Sequence, residues 1–450
     1  MKYLVKYLNY PLATIFSLCI LFAVYGIISH KESIPVSWLI VPLGTAICLF
    51  IAWKLNQLES IDMDISKYRR ITALMSIILF TVQLISALLS DFVPRNDLLY
   101  VCTGAKNLIL GLDISTNLPD YQPDYFEIYP NNHMLFMVIY LLYRIEFALT
   151  GNMSNFLPIA VNIISLNLSY ILMCRCAEIV HKPSRAFVCA VRGILFTPFV
   201  TYSCFFYTDS MAMPLVMASA YFYLKYTKVQ KISLLILSSA FVGLAYKMKG
   251  SSLVLLIAII MDMISSRLKI KDFMAVTFPC IISVKAVSAS ALKILHISHE
   301  TLKQKSFPFI HWIMMSADGR GGYNREDFLY TKSFIGTAKK SADFDRLCEK
   351  LSSQGFGGFI HHLAEKITYT WENTTFMASY YNPFFSSEVF YVISFFSHFT
   401  ILFSILIGIK KSTDKTFLFR LCLFGMIIFL LIWETRCRYL VSFFPLFMLI

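Results

Sequence analysis

Charged residues are scarce in this sequence, and acidic residues are the scarcest of them. Of the 450 residues, only 15% are charged, with 27 acidic against 40 basic side chains, whereas hydrophobic residues make up 57%. Apolar runs of about 20 residues, the length a helix needs to span a bilayer, recur along the chain. The composition excludes a set of soluble domains and predicts an all-α polytopic membrane protein, because backbone hydrogen bonds must be closed within lipid.

Several other features are missing. The 11 cysteines have no zinc or redox spacing, and we interpret the one close pair, Cys174 and Cys176, as small core residues. No internal repeat of the kind found in many transporters is present, and we expect no cleavable signal peptide. The net charge of +13 does not indicate a nucleic-acid partner. Lys and Arg concentrate in short loops, as the positive-inside rule expects of cytoplasmic connections.

The apolar runs of span length, together with the positions of these basic loops, predict about 11 or 12 transmembrane helices. The predicted parts are two extra N-terminal helices with a cytoplasmic loop (residues 1–70), a transmembrane catalytic core (71–292) that contains an outer loop (91–132), an extracytoplasmic loop (293–387), and C-terminal transmembrane helices (388–450).

Residues 134–173 need separate treatment, because two apolar runs lie there and only one net crossing keeps the following basic loop inside. The first run contains Arg144 and Glu146, which are costly in the middle of a bilayer. We therefore expect part of residues 134–149 to be re-entrant or to lie in the interface.

The outer loop 91–132 is too polar to cross a bilayer, but it contains a helical pattern. Its apolar residues have helical spacing: Leu98, Val101, Cys102, Ala105, Leu108, Ile109 and Leu112. Asn96 is a plausible N-cap and Asp97 lies in the first turn. The pattern predicts a short amphipathic helix at the membrane surface with a carboxylate at its start.

The predicted topology gathers the unusual polar residues on the outer face. They are Asp91, Asp97, Asp209, Lys247, Lys249, Glu434, Arg436, Arg438 and, in the large outer loop, His311, Trp312, Asp318 and Arg320. An active site on the extracytoplasmic face of the cell membrane is the economical explanation.

In these residues the chain resembles the polytopic glycosyltransferases of the GT-C fold, such as protein mannosyltransferases and aminoarabinose transferases. The first motif is similar to Asp97, Tyr100, Ala105, Leu108 and Gly111, closed by Tyr129, Pro130, Asn131 and Asn132. Later motifs look like Tyr207, Thr208, Asp209 and Ser210, and like Arg438, Tyr439, Leu440 and Pro445. His311 to Asn324, with Lys366 and Trp371, is similar to the large loop of Gram-positive members.

The resemblance spans residues 90–445, with two departures. Many relatives have an acidic pair in the first motif, whereas Asn96 and Leu98 flank Asp97 here, and two extra spans precede the core. It implies an inverting transferase that moves a sugar from a polyprenyl-phosphate donor to a glycan, lipid or cell-surface polymer. A divalent cation is the one candidate cofactor, and membrane lipids are further expected partners.

The chemistry of such a transfer suggests roles for these residues. Asp97 is the candidate base for the acceptor hydroxyl, against simple capping. Asp209 either caps a helix, orients the acceptor, assists the base or holds a metal, and Asp91 is a weaker alternative. Basic side chains can stabilise the departing phosphate or bind lipid headgroups. The residues proposed to bind substrate are Tyr100, Lys247, Lys249, His311, Trp312, Arg320, Glu434, Arg436 and Arg438.

Two rival functions stay open. A surface-polysaccharide polymerase or ligase would use a similar lipid-linked donor. A flippase or transporter of lipid-linked oligosaccharides should place ionisable residues at mid-membrane, whereas most of the unusual charges here lie at the ends of spans.

Overall fold

The computed structural model describes residues 7–29, 40–118, 122–266, 269–411 and 413–450. The described residues are mostly helical and contain no strand. The helices of the first half are α1 (Asn9–Ser29), α2 (Ile40–Gln57), α3 (Ile65–Leu88), α4 (Asp97–Ile109), α5 (Tyr125–Ile128), α6 (His133–Thr150), α7 (Phe156–Val180), α8 (Pro183–Leu195), α9 (Pro198–Thr201) and α10 (Thr208–Val229).

The second half begins with α11 (Ile232–Met248), α12 (Leu253–Ser265) and α13 (Ile270–Leu295). A group of polar helices follows, consisting of α14 (His299–Lys305), α15 (Phe309–Met315), α16 (Arg325–Lys332) and α17 (Ala338–Trp371). The chain then forms α18 (Ala378–Tyr381), α19 (Glu388–Lys410), α20 (Phe417–Ile432) and α21 (Phe444–Phe447).

Among the described residues, eight helices are long and apolar enough to cross a membrane. They are Asn9–Ser29, Val41–Ser60, Ile65–Leu88, Pro130–Thr150, Phe156–Val180, Ile270–Leu295, Glu388–Lys410 and Asp414–Ile432. This count is lower than the sequence-based estimate of about 11 or 12, which rests on the number of apolar runs of span length. The difference has a physical reason: α11 and α12 are shorter apolar helices, and α10 begins with a buried carboxylate and ends among lysines.

The apolar run over residues 187–207, which is long enough in the sequence for a transmembrane helix, is not one helix. α8 ends at Leu195, and Pro198 begins the four-residue α9. Proline has no N–H with which to continue the helical ladder, which explains the break.

Ion pairs identify one end of the helix bundle, which we call the basic end. There Glu178 pairs with Arg69 and Arg175. Glu59 pairs with Arg185 at 3.5 Å and with Lys411 at 3.6 Å. Three of the basic loops that the sequence predicts to be cytoplasmic therefore meet at this end.

Helix α3 runs from Arg69 at the basic end to the opposite end, which we call the site end. Near its end, Gln83 donates a hydrogen bond to the carbonyl of Phe199 at 2.7 Å, and Ser203 contacts Ser86. Asn162, near the start of α7, donates to the carbonyl of Tyr202 at 2.6 Å. The start of α7 is therefore at the site end, and Glu178, near its close, is at the basic end.

Helix α6 is continuous, so the re-entrant alternative for residues 134–149 is wrong. It begins next to Asn132, which contacts Tyr125 in the outer loop, and it ends before Asn155, close to the start of α7. Lys106 of α4 lies 5.1 Å above the ring of Tyr143, so α4 and α6 lie side by side. Both ends of α6 contact residues near the site end. The helix is also long and apolar enough to cross a membrane, so the interfacial alternative stays a prediction.

A buried arginine that the sequence analysis missed joins several spans near the basic end. Arg192 of α8 is 1% exposed. Its guanidinium donates to Ser404 Oγ at 2.8 Å, to the carbonyl of Met448 at 2.8 Å and to Asn56 Oδ1 at 3.1 Å. These bonds satisfy a charge that would otherwise be costly inside the bundle, so Arg192 serves as a fixed scaffold.

The predicted loop 293–387 folds as helices α14–α18. Asp327 is fully buried and pairs with Arg346 at 2.8 Å and Lys350 at 2.6 Å. Helix α17 bends at Gly355, whose φ of 60° favours glycine. Its last turns enter the bundle, where Trp371 packs edge-on against Phe16 of α1 with ring centroids 5.6 Å apart.

Candidate functional site

Asp97 is the first residue of the predicted amphipathic helix, which is confirmed as α4. Its Oδ1 accepts a hydrogen bond from the Tyr125 hydroxyl at 3.1 Å, and its Oδ2 accepts one from the Tyr207 hydroxyl at 2.8 Å. Burial, and then the Asp97 carboxylate, raise the pKa of Tyr125 well above its usual range, so its hydroxyl stays protonated and donates. Asp97 itself is only half-buried, so its carboxylate can meet a substrate.

The predicted N-cap is wrong in one respect. Asn96 precedes α4, but its side chain makes no capping hydrogen bond. Its backbone has φ of 49°, in the left-handed region, and its side-chain amide donates to the Tyr380 hydroxyl at 3.2 Å. The helix start is held through the side chain of Asp97, which the tyrosines bind.

Asp209 is fully buried in the first turn of α10. Its Oδ1 lies 2.8 Å from Lys249 Nζ, and its Oδ2 accepts a hydrogen bond from Arg438 at 3.2 Å. The carboxylate therefore does not cap the helix, so that interpretation is wrong. Two cations against one buried carboxylate leave an excess of positive charge, which suits a bound anion.

Tyr207 connects Asp97 to this buried triad. While its hydroxyl donates to Asp97, its ring lies beneath the Arg438 guanidinium, whose central carbon is 4.9 Å from the ring centroid. The rings of Tyr439 and Tyr381 lie 5.3 and 5.8 Å from the same carbon. This aromatic cage fixes the guanidinium plane through cation–π contacts.

The segment between α20 and Arg438 adds a second charged pair. Glu434 accepts a hydrogen bond from the Tyr439 hydroxyl at 3.1 Å and lies 3.5 Å from Arg436 Nε. Lys249 Nζ is 3.9 Å above the Tyr439 ring. Tyr439 therefore joins the Glu434–Arg436 pair to the buried triad.

Tyr100 packs against the cluster, and Lys247 is close to it along the chain. The ring of Tyr100 stacks on that of Tyr125 with centroids 4.4 Å apart, so it positions a partner of Asp97. Lys247 is half-buried at the end of α11, two residues before Lys249. Within the described ranges, none of the ion pairs involves Lys247, unlike Lys249 and Arg438.

An aromatic row starts close by. Trp312 lies between Tyr129 and Trp433, with ring centroids 6.0 and 6.2 Å away. Phe309 packs on Trp433 at 4.6 Å and is itself 68% exposed. The row gives Trp312 a position suited to stacking against a ring.

Two of the predicted binding residues, His311 and Arg320, have partners outside the Asp97–Asp209 cluster. His311 is 1% exposed, and its Nδ1 lies 2.7 Å from Thr331 Oγ1, where α15 packs on α16. Arg320 pairs with Glu372 and lies 3.6 Å from Glu365. Both side chains therefore have partners in local helix packing, while the His311 ring also packs edge-on against Trp312 with centroids 5.0 Å apart. Their assignment to a sugar or acceptor pocket stays a prediction.

Sequence reasoning missed Tyr125 and Tyr381, and it quoted Tyr207 and Tyr439 only as parts of motifs, without a role. Tyr125, Tyr207, Tyr381 and Tyr439 supply its hydroxyl donors and aromatic faces. Tyr207 stands two residues before Asp209, and this proximity was the available signal. Across the part of the chain that the structure describes, no three His, Cys, Asp or Glu side chains form a metal-ligand set. A divalent cation stays a prediction.

The comparisons with known proteins agree with the membrane architecture. A family model described as conserved hypothetical integral membrane protein matches residues 33–389, which is most of the chain and includes Asp97, Asp209 and Lys249. No curated protein matches the chain.

Proposed function

We propose that this chain, which belongs to the family of conserved hypothetical integral membrane proteins, is an inverting glycosyltransferase of the GT-C type. It would move a sugar from a polyprenyl-phosphate donor to a glycan, lipid or cell-surface polymer on the extracytoplasmic face. The observation that supports this most is the connected cluster of Asp97, Tyr207, Arg438, Asp209 and Lys249 at the site end, opposite the basic end.

Asp97 would act as the general base. The acceptor hydroxyl attacks the anomeric carbon of the donor sugar, its proton passes to the Asp97 carboxylate, and the bond from that carbon to the phosphate oxygen breaks. The attack and the departure occur on opposite faces of the carbon, which inverts its configuration. The half-exposed position of Asp97 supports this role over the fully buried Asp209.

The cations would stabilise the departing lipid phosphate. Arg438 and Lys249 share a single carboxylate, so an incoming phosphate can take up the charge that Asp209 does not neutralise. Lys247, which has no ion pair among the described residues, would add a third cation. Asp209 then positions cations instead of reacting.

We further propose that the chain crosses the membrane about 11 or 12 times, as the number of apolar runs of span length suggests. The α10–α11 pair supports it: α10 begins with Asp209, α11 is followed by Lys249, and the two residues form an ion pair. A chain that leaves the site end and returns to it must pass through the bundle twice.

This function is tested by measuring which lipid-linked sugar accumulates in cells that lack the protein. Cells that lack the protein should accumulate a polyprenyl-phosphate-linked sugar, and wild-type protein should clear it. Asp97→Asn should fail to clear it, whereas the matched control Asp113→Asn, at an exposed carboxylate of the same loop, should succeed. Accumulation of a longer lipid-linked oligosaccharide on the outer leaflet would indicate a polymerase or ligase. Accumulation on the inner leaflet would indicate a flippase, and no accumulation would contradict all three.

A further inference from the structure

A groove lies between the end of α4, helix α6 and the end of α13. It is separate from the cluster of Asp97, Tyr207, Arg438, Asp209 and Lys249, which we call the reactive cluster. Its volume is about 510 Å³, within the range of small-molecule sites. Its lining consists of Leu108, Met137, Tyr140, Leu141, Arg144, Ile294 and His296. Leu108 is eleven residues beyond Asp97, or about 16 Å along the helix.

The walls of the groove are apolar and accessible. Leu108, Met137 and Ile294 are partly buried, whereas Leu141 is 56% exposed. At the surface of a chain with several membrane spans, such a wall contacts acyl chains more favourably than water.

One edge of the groove is basic. Arg144 is exposed, and its guanidinium donates to the Tyr140 hydroxyl at 3.3 Å, which directs it along the edge. His296 ends α13 in the left-handed conformation, with φ of 54°, and is exposed as well. The seven lining residues contain no carboxylate. The nearby carboxylate of Glu146, two residues from Arg144, accepts a hydrogen bond from the Ser154 hydroxyl.

We propose that this groove binds an anionic phospholipid. The phosphate would lie on Arg144 and His296, and one acyl chain would lie along Leu108 and Leu141. Charge complementarity between the basic edge and the phosphate, together with the apolar wall, selects this ligand. The distance from Asp97 separates the groove from any donor phosphate at the reactive cluster, so the proposal does not depend on sugar transfer.

The test is lipid retention by the purified full chain, counted by native mass spectrometry after exchange into defined lipids. Wild type should retain phosphatidylglycerol in preference to phosphatidylcholine. Arg144→Gln should lower this retention by about tenfold, because a charge-assisted hydrogen bond is lost. Leu141→Ser should also lower it, whereas Arg325→Gln, which removes an exposed base on α16, should leave it unchanged.

The other outcomes separate the sources of phosphate. Inorganic phosphate should not displace the lipid, because it lacks the acyl chain. Equal retention of phosphatidylcholine and phosphatidylglycerol by wild type would overturn the proposal, as would unchanged retention in both Arg144→Gln and His296→Gln. Displacement of phosphatidylglycerol by an equal amount of polyprenyl phosphate would assign the groove to the lipid carrier instead. If Arg144→Gln does not fold, His296→Gln and Leu141→Ser apply the same test.

Discussion

The hydroxyl of Tyr207 donates a hydrogen bond to Oδ2 of Asp97 at 2.8 Å, although 110 residues separate the two in sequence. The same tyrosine ring lies under Arg438, which pairs with Asp209. One side chain therefore connects a half-exposed carboxylate at the start of α4 with the buried ion triad of Asp209, Lys249 and Arg438. Any group that displaces Tyr207 would change both the position of Asp97 and the aromatic cage of Arg438.

A single exposed cysteine, Cys348, allows the topology of the chain to be tested by thiol labelling. All 11 cysteines are free, and Cys348 on α17 is the exposed one, while the other ten are buried. A membrane-impermeant thiol reagent should label wild type in intact cells, and Cys348→Ser should abolish the label. In that background, Lys411→Cys should react only after the cells are opened, whereas Arg325→Cys should react from outside. Labelling of Lys411→Cys in intact cells would refute the predicted sidedness.

Arg438 should tolerate neither loss nor simple replacement of its guanidinium. Arg438→Ala removes the charge and leaves Asp209 with Lys249 alone, so use of the lipid-phosphate donor should fall most. Arg438→Lys keeps the charge but loses the planar stacking on Tyr207, so it should fall less. The ratio of kcat/KM for the donor between the two variants measures this. Arg346→Lys, at the ion pair between Arg346 of α17 and Asp327 of α16, is the control. Wild-type kinetics in Arg438→Ala would exclude the leaving-group role.

Much of this arrangement could be predicted from the sequence. The apolar stripe that begins after Asp97 predicted α4, and the basic loops predicted which helix ends meet, as Glu59 and Glu178 show. Such features repeat along the chain and need only local physics.

Contacts between distant residues could not be predicted. Arg192 lies within an apolar run, so its bonds to Ser404 and Asn56 leave no periodic signal. The positive φ of Asn96 depends on what its side chain meets, namely Tyr380. The polarity of His311 is visible in the sequence, whereas its partner Thr331, 20 residues away, is not.

Lys366 should make stability depend on pH. It is 1% exposed, its Nζ donates to the carbonyl of Trp433 at 3.0 Å, and burial lowers its pKa to about 7, with Glu434 opposing the shift. The unfolded chain keeps this proton up to about pH 10.4. Between these values the unfolded state binds more protons, so the free energy of unfolding should rise with pH.

The variant Lys366→Met removes this titration and keeps an unbranched side chain. The melting temperature of the purified protein, measured between pH 7 and pH 9 as the window set by that pKa of about 7, should rise less steeply in Lys366→Met than in wild type. Lys340→Met, at an exposed lysine on the same helix, should keep the wild-type slope. Identical slopes in all three proteins would show that the Lys366 amine stays protonated when buried.

Asp97→Asn distinguishes a base from a structural anchor. The asparagine keeps the size of the side chain, accepts one tyrosine hydroxyl through its amide oxygen, and can donate to the other through its nitrogen. Folding should therefore change by only about 1 kcal/mol. Removal of the carboxylate should nevertheless lower sugar transfer by roughly two to four orders of magnitude, because no group remains to take the acceptor proton.

The comparison with Asp209→Asn makes the assignment specific. That change leaves Lys249 and Arg438 buried without a counter-charge, so it should lower stability by about 3–5 kcal/mol. Transfer from a purified polyprenyl-phosphate donor and the melting temperature should be measured for both variants. A stable but inactive Asp97→Asn together with an unstable Asp209→Asn matches a base in the outer loop and a cation-positioning carboxylate in the bundle. A stable, inactive Asp209→Asn with an active Asp97→Asn would exchange the two roles, because the buried carboxylate would then be the group that takes the proton.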